Sequence, residues 1–265
     1  MSVASLGYIV VEATDPGKWA SYGADVLGLM KAPGMPDDGN VYLKMDERPF
    51  RFVIEKSDRD HFGLAGWEIS SKPAYDALLH RLTEAGVQYA PVDSAVLAVR
   101  RVQEAVRLQD PSGNSLELYW GADLDYLKFV SPLGIDGFET GFNGDMGLGH
   151  VVLPAAQLEA TYAFYIDVLG FGDTDRMHFK FSDDPADPGQ GLRFLHVDNP
   201  RHHSLALFED ANNPVGCVHT MLEVNSVDEV GYCLDRVQQA EIPIVSTLGR
   251  HTNDRMMSFY MATPT

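Results

Sequence analysis

The sequence predicts an α+β fold of two tandem halves, each holding two strand-helix-strands units. Three observations carry that reading. Leu6-Gly-Tyr-Ile-Val10 matches Leu148-Gly-His-Val-Val152, and Val26-Leu-Gly28 matches Val168-Leu-Gly170 at the same offset, so the chain is internally repeated. A second match, Glu68-Ile-Ser-Ser with Glu223-Val-Asn-Ser, precedes a helical stripe in each half. Runs of strand character such as Asn40-Val-Tyr-Leu-Lys-Met45 and Phe50-Arg-Phe-Val-Ile54 lie between Gly, Pro and Asp turns.

Taken in order, the first strand leads to a helix that Asp15 caps, with Pro16 in its first turn and Gly28 just past its end. The second half repeats this helix with Leu158, Tyr162, Tyr165 and Leu169 at helical spacing before Gly170. The second helix of each half shows the stripes Tyr75, Leu79, Leu82 and Val230, Leu234, Val237. Helices on one side of an antiparallel sheet leave its other side free to curl into a cup. The first half closes with the turn Asp110-Pro-Ser-Gly-Asn114 and an alternating strand that carries Glu117. A segment from about Gly121 to Gly147, containing Pro132, connects the halves, and domains of 1–135 and 136–265 are expected. By internal homology one further strand, bearing the partner of Glu117, is expected beyond Thr265, which makes the second domain a truncated one.

Composition narrows the function. Acidic residues outnumber basic ones by 38 to 20, and the net charge of −18 argues against nucleic acid and anionic membranes as partners. Two cysteines, Cys217 and Cys233, are too few for a disulfide framework in 265 residues and read as buried free thiols. No apolar run approaches the ~18 residues of a membrane span, so a cytoplasmic protein is expected. That compartment suits a ferrous site.

His150 and His219 each sit in an apolar strand run, and their counterparts in the first half are Tyr8 and Leu64. The asymmetry fits a duplicated scaffold in which one cup kept a metal. Two imidazoles and a carboxylate leave open positions at Fe(II) or Mn(II) for oxygen and substrate together. In Arg201-His-His-Ser-Leu-Ala206, period-two alternation puts His203 on one face with Leu205 and Leu207, and His202 on the other. His203 is therefore the expected proton shuttle. The stretch Leu248 to Tyr260 gathers His251, Asn253, Asp254 and Tyr260. His61, His80, His178, His196 and His202 read as structural or surface residues.

These residues resemble the type I extradiol dioxygenases of the vicinal oxygen chelate superfamily, most closely the two-domain group acting on 2,3-dihydroxybiphenyl and related catechols. The likeness rests on Gly147-Leu-Gly-His-Val151, Arg201-His-His-Ser-Leu-Ala206, His219-Thr-Met-Leu-Glu-Val224, and Leu248-Gly-Arg-His-Thr-Asn-Asp254 through Tyr260. It covers the whole chain and implies paired βαβββ modules in each half. It implies His150 and His219 as iron ligands with a glutamate beyond Thr265 as the third. It further implies His203 as acid/base, His251 and Tyr260 as hydrogen-bond partners of the catecholate, Asn253 and Asp254 as residues that order their loop beside the substrate, and Val152 and Phe194 as ring-pocket walls. The implied reaction is meta cleavage of a 3-substituted catechol by O2, in a homo-oligomer of the kind common in the family. Alternative readings are a metal-free binding protein of the same fold, an isomerase or lyase of the glyoxalase type, and a truncated form with impaired activity.

Overall fold

The repeat read from the sequence becomes four strand-helix-strands units in space. A computed structural model describes residues 2–180, 182–212 and 216–264; Thr265, the starting point of the third-ligand expectation, lies outside them. The first unit runs β1 (Val3–Ala13), α1 (Pro16–Ser21), β2 (Met30–Lys31), β3 (Val41–Lys44) and β4 (Phe52–Lys56). The second runs β5 (His61–Ile69), α2 (Lys72–Glu84), β6 (Tyr89–Pro91), α3 (Ser94–Arg100), β7 (Glu104–Gln109) and β8 (Ser115–Trp120). The third holds β9 (His150–Ala155), α4 (Leu158–Ala163), β10 (Gly172–Phe179), β11 (Gln190–His196) and β12 (Leu205–Glu209). The fourth holds β13 (His219–Met221), α5 (Val227–Gln239), β14 (Ile244–Arg250) and β15 (Met257–Met261). Helix α3 is absent from the sequence reading.

The local signals act as expected at α1. Asp15 accepts a hydrogen bond from the Gly17 N–H, and Pro16 occupies the first turn. The helix then widens into a π-helical turn, Tyr22–Leu27, closed by Gly28 at φ 74°. The repeat is faithful here: α4 continues into a π-helical turn, Phe164–Leu169, closed by Gly170 at φ 80°.

The sheets are mixed, not antiparallel. β1 pairs with β4 in parallel and with β5 antiparallel, β5 with β8 in parallel, and β9 with β12 in parallel. A strand-helix-strands unit forces this, because the last strand of each unit returns beside the first after an even number of reversals. The first half forms one eight-stranded sheet in the order β2-β3-β4-β1-β5-β8-β7-β6. The second gives a five-stranded sheet, β10-β11-β12-β9-β13, and a separate β14-β15 hairpin. In the first half β8 bridges β5 to β7; among the described residues no strand stands at the matching place between β13 and β15.

One apolar core lies on the helix side and runs through both halves, with Leu6, Trp67 and Leu78 from the first and Leu148, Tyr165 and Val237 from the second. The Asp110 turn bolts the halves together. Asp110 accepts from the backbone N–H groups of Ser112 and Asn114, Tyr165 donates to it at 3.3 Å, and Asn114 Nδ2 donates to the Pro154 carbonyl at 2.9 Å. No helix among the described residues is long and apolar enough to cross a membrane. The two thiols are free but half-buried; burial pushes Cys217 up to about 12.

Candidate metal centre and active site

Three adjacent strands of the second half, β12, β9 and β13, bring His203, His150 and His219 to one concave face. In the antiparallel β9-β13 pair, Val152 faces His219 and His150 faces Met221, so His150 and His219 are diagonal neighbours on the same side of the sheet. Their Nε2 atoms lie 3.1 Å apart. Adjacent ligands bonded to one ion at ~2.1 Å stand roughly 3 Å apart, so the pair fits a shared metal. Gly149 permits the approach: at φ +147°, a Cβ there would lie 2.0 Å from the Met221 carbonyl oxygen.

His150 is 3% exposed, and burial pushes its imidazole well below the ordinary range. Burial brings His219 down to about 4. Both are therefore neutral near pH 7, the form in which histidine binds a metal. The Nδ1 of His150 is buried without a hydrogen-bond partner.

His203 packs its ring against His150 at 4.1 Å between centroids and meets Phe194 edge to face at 4.8 Å. Burial first, and then the neighbouring His202, bring its imidazole down to about 3. His203 lies in the cup, but not through the strand alternation expected for it. Strand β12 starts only at Leu205, and the chain bends through 201–204, so Leu205 and Leu207 turn into the helix-side core while His203 shares the cup with Ala206. The same bend brings His202 to the site, against the expectation that it lies apart: its Nδ1 stands 3.0 Å from that of His203. His178 and His196 do lie apart, bonded to the Pro188 carbonyl and the Thr174 hydroxyl.

The β14-β15 hairpin supplies the opposite wall. Tyr260 stands edge to face with His219 at 5.0 Å, and its hydroxyl is 3.1 Å from His251 Nε2, which also meets the Ser258 hydroxyl at 2.9 Å. Asp254 accepts from the Met256 N–H at 3.0 Å and lies 3.3 Å from His251 Nδ1. It also gathers with His202 and His203, their potential ligand atoms all within 4.8 Å of one another. This second donor group holds no residue of the His150-His219 pair. Asn253 is half-buried in the same loop. Val152 and Phe194 form the apolar floor with Ala206. Sequence reasoning missed His202 and Ser258; the bend hid the first, and nothing in the local pattern marks the second.

The comparisons agree with this geometry. Residues 147–265 match the family model described as Glyoxalase/Bleomycin resistance protein/Dioxygenase superfamily, and residues 6–56 match Dihydroxybiphenyl dioxygenase BphC D1. An iron-dependent extradiol dioxygenase of Rhodococcus jostii (strain RHA1) is 43% identical over 267 residues, covering 100% of this chain and 87% of the relative. A biphenyl-2,3-diol 1,2-dioxygenase of Metapseudomonas furukawaii is 38% identical over 265 residues, covering 100% of this chain and 84% of the relative. Among solved structures, a catechol 2,3-dioxygenase superposes with a TM-score of 0.90 at 30% identity, covering 100% of this chain and 86% of that one. The chain belongs to the extradiol dioxygenases of the glyoxalase/bleomycin resistance protein/dioxygenase superfamily.

Proposed function

We propose that the second cup holds Fe(II) through His150 and His219 and cleaves a 3-substituted catechol, such as 2,3-dihydroxybiphenyl, beside its hydroxyl pair with O2. The observation that carries this reading is the convergence of two neutral Nε2 atoms at 3.1 Å, with His203 on one side and the His251-Tyr260 pair on the other. A metal-free binding cup has no need of that set. Relatives named for biphenyl-2,3-diol and 3-methylcatechol support a ring substituted next to the hydroxyls. The proposed third ligand is a glutamate at the place Glu117 marks in the first half, and the proposed domains are 1–135 and 136–265. The donor set suits Mn(II) as well as Fe(II). Free thiols and an acidic surface support a cytoplasmic setting.

Held by His150 and His219, iron would supply Lewis-acid and redox chemistry to the catechol and O2. The residues do the rest. Tyr260, whose proton burial makes harder to remove, donates that proton in a hydrogen bond to a catecholate oxygen, with the His251 Nε2 3.1 Å behind its hydroxyl oxygen. His203 enters unprotonated, takes a proton released by the catechol and returns it to oxygen as the ring opens. Val152, Phe194 and Ala206 hold the ring and exclude water.

Anaerobic loading with Fe(II), followed by oxygen and 2,3-dihydroxybiphenyl, tests the reading. A yellow ring-fission product with one O2 consumed per catechol is expected. Tight Fe(II) binding with no oxygen uptake on any catechol would overturn it, and loading with Mn(II) in parallel shows which ion the site uses.

A further inference from the structure

Arg201 stands immediately before the His202-His203 pair, and its guanidinium is 4% exposed in the side chain. All three of its nitrogens are engaged. Nε donates to the Met146 carbonyl at 3.1 Å, Nη1 to the Glu223 carboxylate, and Nη2 to the Glu139 carbonyl. Met146 lies four residues before His150, and Glu223 four residues after His219. One side chain thus ties the approach to β9 and the exit of β13 to the bend that carries His203. The connecting segment is stitched to the exit of β13 besides, by the Glu139 N–H to the Glu223 carbonyl at 2.8 Å and a bridge between Phe138 and Val224.

The first half supplies an internal control. The strand registers align Ile9-Phe52 with Val151-Leu205, so Arg48 is the counterpart of Arg201; the repeat aligns Glu68 with Glu223. Arg48 makes the same ion pair, Nη2 to Glu68 at 3.0 Å, but its Nε is buried without a partner. The ion pair is therefore common to both halves. Arg48 makes neither carbonyl bond; in the first half it is Arg51 that donates to two carbonyls, those of Gly7 and Gly144, each at 2.8 Å.

We propose that Arg201 is a positioning residue for the metal site: it fixes the relative placement of His150, His203 and His219, with Glu223 orienting its fork. The proposal rests on the reading of the second cup given above. A planar fork that serves three acceptors at once cannot be replaced by an ammonium group, and groups that orient ligands typically set metal affinity by 10–100-fold.

The test compares Arg201→Met, Arg201→Lys and Arg48→Met with the unaltered protein, by anaerobic Fe(II) titration, steady-state oxygen uptake and thermal unfolding. Arg201→Met should weaken Fe(II) binding by roughly 10–100-fold and lower kcat more than it raises KM. Arg201→Lys should recover only part of the affinity. Arg48→Met should shift unfolding while Fe(II) affinity stays within about twofold. Equal effects of Arg201→Met and Arg48→Met on Fe(II) affinity, or none from either, would overturn the proposal. Should Arg201→Met not fold, Glu223→Gln against Glu68→Gln decides the same question, with weaker Fe(II) binding expected only from the former. Unaltered protein that binds Fe(II) without cleaving catechols would sink the ring-cleavage reading while leaving the affinity comparison in force.

Discussion

The two cups share one scaffold and have filled it with opposite chemistry. Where the second carries His150, His219 and His203, the first carries Tyr8, Leu64 and Phe50 at the aligned positions. Tyr8 stacks on Tyr119 at 5.1 Å and meets Phe50 at 5.7 Å, so aromatic rings occupy the concavity. The Tyr8 hydroxyl donates to the fully buried Glu117 at 2.5 Å, and Arg100 and Arg107 pair with the same carboxylate. The connections that follow β6 and β14 tell the same story: the one in the first half forms α3 and delivers Arg100, and the one in the second is the loop that delivers His251 and Asp254. The difference teaches that a buried carboxylate in this fold needs a cation, and that arginine meets the need where no metal does. The first cup pairs its buried carboxylate with Tyr8, Arg100 and Arg107. The second leaves His150 Nδ1 buried without a partner.

The largest break in the comparison should come from His150→Ala, which removes metal retention altogether, while Tyr8→Phe at the aligned position leaves the metal content unchanged; metal analysis after gel filtration reads both. Next, His203→Ala should keep the iron and lose roughly 10²–10⁴-fold in ring cleavage, with oxygen consumed but not incorporated. Turnover as in the unaltered protein would remove the acid/base role. Glu117→Gln should cost roughly 1.5–3 kcal/mol, since it takes the charge from the hydrogen bonds of Arg100 and Arg107 while Glu55 still pairs with Arg100, and leave Fe(II) affinity as it was. Burial pushes Glu117 up, but Arg100, Tyr8 and Arg107 outweigh it and hold its folded pKa below the ordinary value. Its stabilisation is therefore complete above the unfolded carboxylate range and is lost as pH falls through the folded pKa. Chemical denaturation from pH 6 to pH 3 should accordingly show a flatter acid limb for Glu117→Gln than for the unaltered protein. The smallest effect is that of Tyr8→Phe on stability, about 1 kcal/mol for one hydrogen bond.

Much of this was legible in the sequence because the duplication supplies its own alignment. Gly28 and Gly170 closed matching helices, and histidines opposite Tyr8 and Leu64 pointed to one reactive cup. What escaped depended on local departures from regular geometry. Period-two alternation separated His202 from His203, but it holds only inside a strand, and these residues lie in a bend. The mixed sheet escaped because strand direction depends on which strands become neighbours, which hydropathy does not record. The Arg48-Glu68 and Arg201-Glu223 pairs are visible once the repeats are aligned at each strand separately, since the offset changes along the chain.

Bulges in β1 between Val3 and Ser5, and between Leu6 and Tyr8, have an effect on how the molecule is made. They turn backbone carbonyls out of the first sheet, and Val3, Ala4 and Leu6 use them to accept from the Asp198 N–H, Asn199 Nδ2 and the Leu148 N–H at 3.0, 2.9 and 2.8 Å. The Ala4 bond spans 195 residues. During synthesis these acceptors wait, hydrated, until the second half has emerged, so the late-forming half condenses on an earlier one. The half without the histidine cluster thus offers an assembly surface to the half that carries it.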